Sequence, residues 1–294
     1  MQKIIAIVGP TASGKTSLGI SLARKIGGEI ISADSRQIYR GMDIIAGTPT
    51  ALEMHGVPHH LLRATDPRRH YSAGRFAREG ARLATAIARR GNIPIVVGGT
   101  GFYADALLSG IELPEVPPNM KLRGELAKKT AAQLFTYLKR LDPRRAAEID
   151  NDNPVRLIRA MEIARALGAV PPLPAAARSK KFEVLWLGLS PTPEAHRRAI
   201  RKRVREHLRR GLLAEAQRLR ARLSKKRYDE LGAEFRFIAD CLDKKITKKE
   251  LAIKLEQWEL AYAKRQMRWL RRNAHIVWIQ TKREAFAKAG KFTA

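Results

Sequence analysis

Residues Gly9-Pro10-Thr11-Ala12-Ser13-Gly14-Lys15-Thr16 carry the spacing G-x-x-x-x-G-K-S/T of a phosphate-binding loop. The chemistry follows from the residue types. Glycines let the backbone curl until its N–H groups converge on an anion, and a helix starting there turns its positive end to the same point. Lys15 adds a mobile cation for a terminal phosphate, and the Thr16 hydroxyl is a ligand for Mg²⁺. A group bearing a diphosphate or more is expected. Two other segments offer chemistry of their own. Ser32-Ala33-Asp34-Ser35 supplies a carboxylate, and Gly98-Gly99-Thr100-Gly101 supplies close backbone approach with one hydroxyl. Carboxylate, hydroxyl and phosphate cradle together make a group-transfer site. Asp34 keeps two readings: proton acceptor or metal ligand, and helix N-cap.

These segments need a scaffold that brings them to one rim. Lys3–Val8, Glu29–Ala33 and Ile93–Val97 are short, β-branched and apolar throughout, the pattern of strands buried on both faces, and Phe182–Leu189 and Ile276–Ile279 extend the set. Helices are predicted between them, over Lys15–Ile26 and Ala73–Arg89. The alternation predicts an α/β fold with a parallel sheet, whose ligands lie at the carboxyl ends of the strands. From Leu113 the texture changes. Leu113-Pro-Glu-Val-Pro-Pro118 reads as a stiff linker, Met120–Leu167 as helices without a strand, and Pro171-Pro172-Leu173-Pro174 as a closing linker. Residues 1–116 and 179–294 are therefore expected to form the phosphate-loop core, with 117–178 a helical insertion. The last third is helical: Thr192-Pro193-Glu194 is a start signal, Gly211 an interruption, and Lys248–Arg272 a long helix.

Composition narrows the function classes. The 294 residues are 45% apolar, with 57 Lys and Arg against 28 Asp and Glu, a net charge of +29. Between His196 and Glu230 there are 14 basic and 4 acidic residues, a local net of +10, which points to a polyanion and to nucleic acid in particular. No segment approaches the roughly 18 uninterrupted apolar residues of a membrane span. The single cysteine, Cys241, excludes a disulfide framework, and with a strand at the very start the expectation is no targeting peptide and a cytoplasmic location.

GPTASGKT, SADSRQIYRGMDI, VPHHLL and IVVGGTGFY, in that order, resemble the tRNA dimethylallyltransferases, the IPP transferase family. Asn153-Pro-Val-Arg156-Leu-Ile-Arg159-Ala-Met-Glu162 and Tyr262-Ala-Lys264-Arg265-Gln266-Met-Arg-Trp269 extend the likeness over nearly the whole chain. The resemblance implies that the loop holds dimethylallyl diphosphate. The five-carbon group would pass to the exocyclic amine of the adenosine 3′ of the anticodon in tRNA, with Mg²⁺ and release of diphosphate. By the same resemblance Asp34 is the general base and Thr100 contacts substrate near the reacting groups. Asp34, Ser35, Arg36 and Gln37 would touch the target base and its neighbours, and Arg123, Arg156 and Arg159 would meet the anticodon stem-loop. The chain departs from the family at Ala46-Gly47-Thr48-Pro49, which lacks a lysine, and at Leu231-Gly-Ala-Glu-Phe-Arg236. A monomer is the default.

The phosphate loop alone also permits a small-molecule or nucleoside kinase using ATP, prenylation of a free adenine nucleotide, or a non-catalytic RNA-binding protein. His59-His60 could ligate a metal but is better read as packing or loop hydrogen bonding. Trp258, Trp269 and Trp278 could stack on bases and are more simply core.

Overall fold

The computed structural model describes residues 1–109, 113–172 and 181–294. Contacts group them into one unit of Met1–Gly110 with Arg178–Ala294 and a second of Ile111–Ala177. In the first unit, strands β1 (Gln2–Val8), β2 (Gly28–Ser32), β3 (His59–His60), β4 (Ile93–Gly98), β5 (Phe182–Leu189) and β6 (Val277–Ile279) form a parallel sheet in the order β3-β2-β4-β1-β5-β6. Successive side chains of a strand point to opposite faces, and both faces here are covered. Ile4, Ala6, Val8, Ile31 and Val96 pack with Phe76, Ala84 and Ile87 on one side. Ile5, Ile7, Ile30 and Ile95 pack with Leu18, Leu22 and Ala285 on the other. The predicted strands are all present. Only β3, two residues long, lacked a pattern to announce it.

Helices α1 (Lys15–Ile26), α2 (Ala51–Met54), α3 (Ala73–Arg89) and α4 (Gly101–Leu108) belong to the first half of this unit. α1 and α3 have the predicted bounds. In the second unit, α5 (Met120–Leu126), α6 (Ala131–Leu141), α7 (Pro143–Glu148) and α8 (Pro154–Leu167) pack around Leu134, Leu138, Leu157 and Met161. Residues 113–116 go with these helices. Val116 packs on their core, and its carbonyl accepts a hydrogen bond from Arg159 Nη2 at 2.9 Å. The closing linker expected at Pro171–Pro174 runs into residues 173–180, outside the described residues.

The chain returns through α9 (Pro193–Arg209), α10 (Leu212–Arg222), α11 (Lys225–Glu230), α12 (Glu234–Leu242), α13 (Lys248–Leu270) and α14 (Lys282–Thr293). Thr192 caps α9 ahead of Pro193, and Gly211, at φ 97°, separates α9 from α10 as its sequence position predicts. Ile200, Val204, Leu212, Ile238, Leu251 and Leu255 tie α9, α10, α12 and α13 into one apolar cluster. No helix among the described residues is long and apolar enough to cross a membrane.

Candidate active site

The chain leaves β1 between β4 and β5, where the sheet order reverses, and such a switch point opens a crevice at the carboxyl edge. Three strand ends meet there. The phosphate loop follows β1: Gly14 takes the left-handed conformation at φ 86° that starts α1, and Thr11 is anchored twice. Its N–H donates to Gln266 Oε1 at 2.8 Å, and its carbonyl meets His196 Nε2 at 2.8 Å. Gln266 also donates from Nε2 to the Gly99 carbonyl at 2.9 Å, so one buried amide ties the phosphate loop to the glycine turn after β4. That turn must be glycine: a Cβ on Gly98 would collide with the Ala33 carbonyl.

Asp34 follows β2. Its Oδ1 accepts the backbone N–H of Arg36 at 2.8 Å and, more loosely, that of Gln37 at 3.3 Å. No helix starts here, so the N-cap expected of Asp34 is instead the cap of a turn, and the residue lines the cleft. Every neighbour in this turn is held from elsewhere. Thr100 Oγ1 accepts the Ser35 N–H at 3.1 Å, and Ser32 Oγ donates to Gln37 Oε1 at 2.8 Å. Gln37 Nε2 donates to the Gly47 carbonyl at 3.2 Å. The Arg36 guanidinium forms a two-pronged pair with the buried carboxylate of Glu234.

The cleft encloses about 900 Å³, part of it open to solvent. Thr11, Lys15, Thr16, Asp34 and Arg36 line it with Arg203, Glu234, Trp258, Glu259 and Tyr262, and the buried Val204, Leu212, Ile238 and Leu255 of the apolar cluster lie behind them. Charge within it is dense. Desolvation pulls the Lys15 ammonium down to about 8, aided by Arg203 and opposed by Asp34 and Glu259. Burial pushes the Glu259 carboxyl up against the pull of Arg203, Lys15 and Arg36. Burial near Arg203 and Arg210 holds His207 at about 3, so its imidazole is neutral at physiological pH. Lys15 Nζ rests on the Pro10 carbonyl at 3.0 Å, and Ser13 Oγ is buried without a hydrogen-bond partner beside it in the loop. Arg203 lies against Gly47 and donates to the Ala46 carbonyl at 3.4 Å, which puts a cation where the sequence lacks a lysine.

The structure thus brings Lys15, Thr16, Asp34, Arg36 and Gln37 together around one cleft, with Thr100 bonded to the Asp34 turn. Arg123, Arg156 and Arg159 lie in the second unit. Arg123 and Arg159 both bond the buried Glu162, at 2.7 and 3.2 Å, while Arg156 is exposed beside Asp150 at 3.4 Å. Arg203, Glu234 and Glu259 were not singled out as site residues from sequence, because nothing in their spacing ties them to the loop, and Trp258 was weighed as a base-stacking residue but read as core. Gln266 and Tyr262 stood within a quoted motif without a role. His59 and His60 bond the Val57 carbonyl and Glu29 rather than a common centre, and among the described residues no group of three or more His, Cys, Asp or Glu is placed to hold a metal. Trp278 packs on the sheet core and Trp269 donates to Asp105 Oδ2 at 2.7 Å, whereas Trp258 faces the cleft.

Comparison with known proteins identifies the family. The family model described as IPP transferase matches residues 37–273. A tRNA dimethylallyltransferase of Thermomicrobium roseum is 40% identical over 283 residues, 94% of this chain and 86% of that protein. One from Geobacillus thermodenitrificans is 37% identical, covering 97% and 93%. Among solved structures, the tRNA isopentenylpyrophosphate transferase of Bacillus halodurans superposes with a TM-score of 0.73 at 33% identity, covering 100% of this chain and 96% of that one. A eukaryotic dimethylallyltransferase acting on tRNA gives a TM-score of 0.84 at 26% identity, covering 100% and 80%. The chain belongs to the IPP transferase family.

Proposed function

We propose that this enzyme transfers a dimethylallyl group from dimethylallyl diphosphate to the N6 amine of the adenosine 3′ of the anticodon in tRNA. The observation that carries the reading is a single cleft lined both by Lys15 and Thr16 of the phosphate loop and by the carboxylate of Asp34. The relatives named tRNA dimethylallyltransferase favour this donor over a nucleoside triphosphate.

In the reaction the bond from the allylic carbon to the diphosphate oxygen breaks as the bond to N6 forms. Lys15 and the loop N–H groups stabilise the charge gathering on the leaving diphosphate. An exocyclic amine is a weak nucleophile because its lone pair is drawn into the ring. Asp34 takes its proton as the new bond forms, with Oδ1 fixed by the turn and the other oxygen left for the amine. The Thr16 hydroxyl would offer Mg²⁺ an oxygen donor of the kind it favours, and the ion would supply charge neutralisation for the leaving group.

The adenosine must leave its stack in the anticodon stem-loop to reach Asp34, at a cost of a few kcal/mol. Basic residues of α9 and the second unit, Arg123, Arg156 and Arg159 among them, would supply phosphate contacts that offset it. The cytoplasm, where tRNA is processed, is the expected location. Unmodified tRNA incubated with labelled dimethylallyl diphosphate should acquire label in a Mg²⁺-dependent reaction. Label passing instead from ATP to an acceptor would overturn the reading in favour of a kinase.

A further inference from the structure

Arg36 sits between Glu234, which sequence reasoning left without a role, and Trp258, which it read as core. Both prongs of its guanidinium engage Glu234, a carboxylate only 6% exposed and 198 positions away in the chain. The same guanidinium lies over the Trp258 ring, 5.5 Å from its centroid. Trp258 in turn stacks on Tyr262 with ring centroids 5.2 Å apart and planes 13° from parallel. Arg36, Glu234, Trp258 and Tyr262 all line the cleft that holds Asp34. The pair lies close against the backbone at Gly232, where a Cβ would meet both the Arg36 guanidinium and the Glu234 carboxylate.

We propose that Glu234 is a positioning residue for the acceptor base, holding Arg36 over Trp258 so that the stack of Arg36, Trp258 and Tyr262 presents a fixed end face on which the extruded purine lies beside Asp34. The inference rests on the transfer reaction proposed above and deepens it. A guanidinium stacked on aromatic rings offers a purine a flat, polarisable surface that discriminates little by sequence, as a wall for an extruded base must. The fork geometry matters, because a carboxylate gripping both nitrogens fixes the guanidinium plane where a point charge would not. The clamp also reaches the base chemically: the backbone N–H of Arg36 is the group that holds Asp34 Oδ1, so a wandering Arg36 loosens Asp34. A catalytic group displaced by about 1 Å loses on the order of 100-fold in rate.

The test measures transfer kinetics on an unmodified anticodon stem-loop, varying each substrate in turn. Glu234→Gln keeps the shape and removes the charge, Arg36→Lys keeps the charge and removes the fork, and Gly232→Ala crowds the pair without altering either member. Each is expected to lower kcat about 10- to 100-fold while leaving KM for dimethylallyl diphosphate within about twofold. The double variant Arg36→Lys/Glu234→Gln should be no worse than the poorer single, since both break one interaction. Thermal melts identify any variant that fails to fold, and the remaining variants then decide. Unchanged kcat in the folded variants, additive losses in the double, or an equal rise in KM for dimethylallyl diphosphate would overturn the clamp. A wild-type protein that transfers no label would instead sink the reading on which the clamp rests.

Discussion

The two banks of the cleft are built on different principles. On one bank, the turn Asp34–Gln37 is pinned residue by residue: Asp34 by its own backbone turn, Ser35 by Thr100, Arg36 by Glu234 and Gln37 by Ser32 and Gly47. On the other, the phosphate loop is anchored at Thr11 by Gln266 and His196, while Lys15 reaches only the Pro10 carbonyl and Ser13 Oγ has no partner. The contrast follows from what each bank must do. A weak nucleophile needs a base held in a narrow geometry before it arrives, because misalignment costs rate directly. A diphosphate brings its own charge and oxygen acceptors, so the loop needs donors and a cation that close on the ligand.

The contrast can be broken most forcefully at the base. Asp34→Ala should cut transfer by about 10²- to 10⁴-fold while tRNA binding, measured by filter retention or anisotropy, persists. Surviving transfer would remove Asp34 from the mechanism. On the opposite bank, Lys15→Met should lower kcat/KM for dimethylallyl diphosphate by about 10²- to 10³-fold, an effect carried by the donor rather than by tRNA. The pH dependence sharpens this assignment. Burial holds the Lys15 ammonium at about 8, so raising the pH through that value strips the charge that meets the diphosphate. We expect kcat/KM for the donor to fall above about pH 8, and Lys15→Arg, which stays charged, to lose that basic limb whatever its absolute rate.

Smaller effects belong to the second unit. Glu162, fully buried and shared by Arg123 and Arg159, holds its helices together, since its Oε1 also accepts the Asn119 N–H at 2.8 Å. Glu162→Ala should destabilise this unit by about 2–3 kcal/mol, less than for a fully buried pair because both arginines are partly solvated, as read by chemical denaturation. The exposed Arg156 should matter least. Arg156→Ala is expected to weaken tRNA binding evenly across sequences and to reduce the salt slope by about 0.7–0.9, with kcat unchanged.

The second bank was easier to read from sequence than the first. Gly9–Thr16 is a contiguous motif whose function lies in its own backbone, and β1 and α1 on either side are set by local patterning. Asp34 and Thr100 were found by their places at strand ends, but Glu234, which grips Arg36 in the Asp34 turn, was not, because it comes 200 positions after Asp34. Arg36 illustrates the gap. As a residue type in a basic chain it reads as a contact for RNA, and in the fold its charge is turned inward onto Glu234.

What the sequence by itself determined was everything carried by short-range pattern: buried parallel strands, the helices between them, the strandless stretch from Met120 to Leu167, the phosphate loop and the large positive charge. Only the tertiary structure decided which of the scattered polar residues share a cleft. It placed Arg203, Glu234, Trp258, Glu259 and Gln266 there, although each reads locally as one more polar or aromatic residue on a helix. The physical reason is that local patterning encodes which face of an element is buried. The pairing of charges across the cleft depends on the packing of α9, α12 and α13 against the sheet edge, a long-range consequence of the apolar cluster of Ile200, Val204, Ile238 and Leu255.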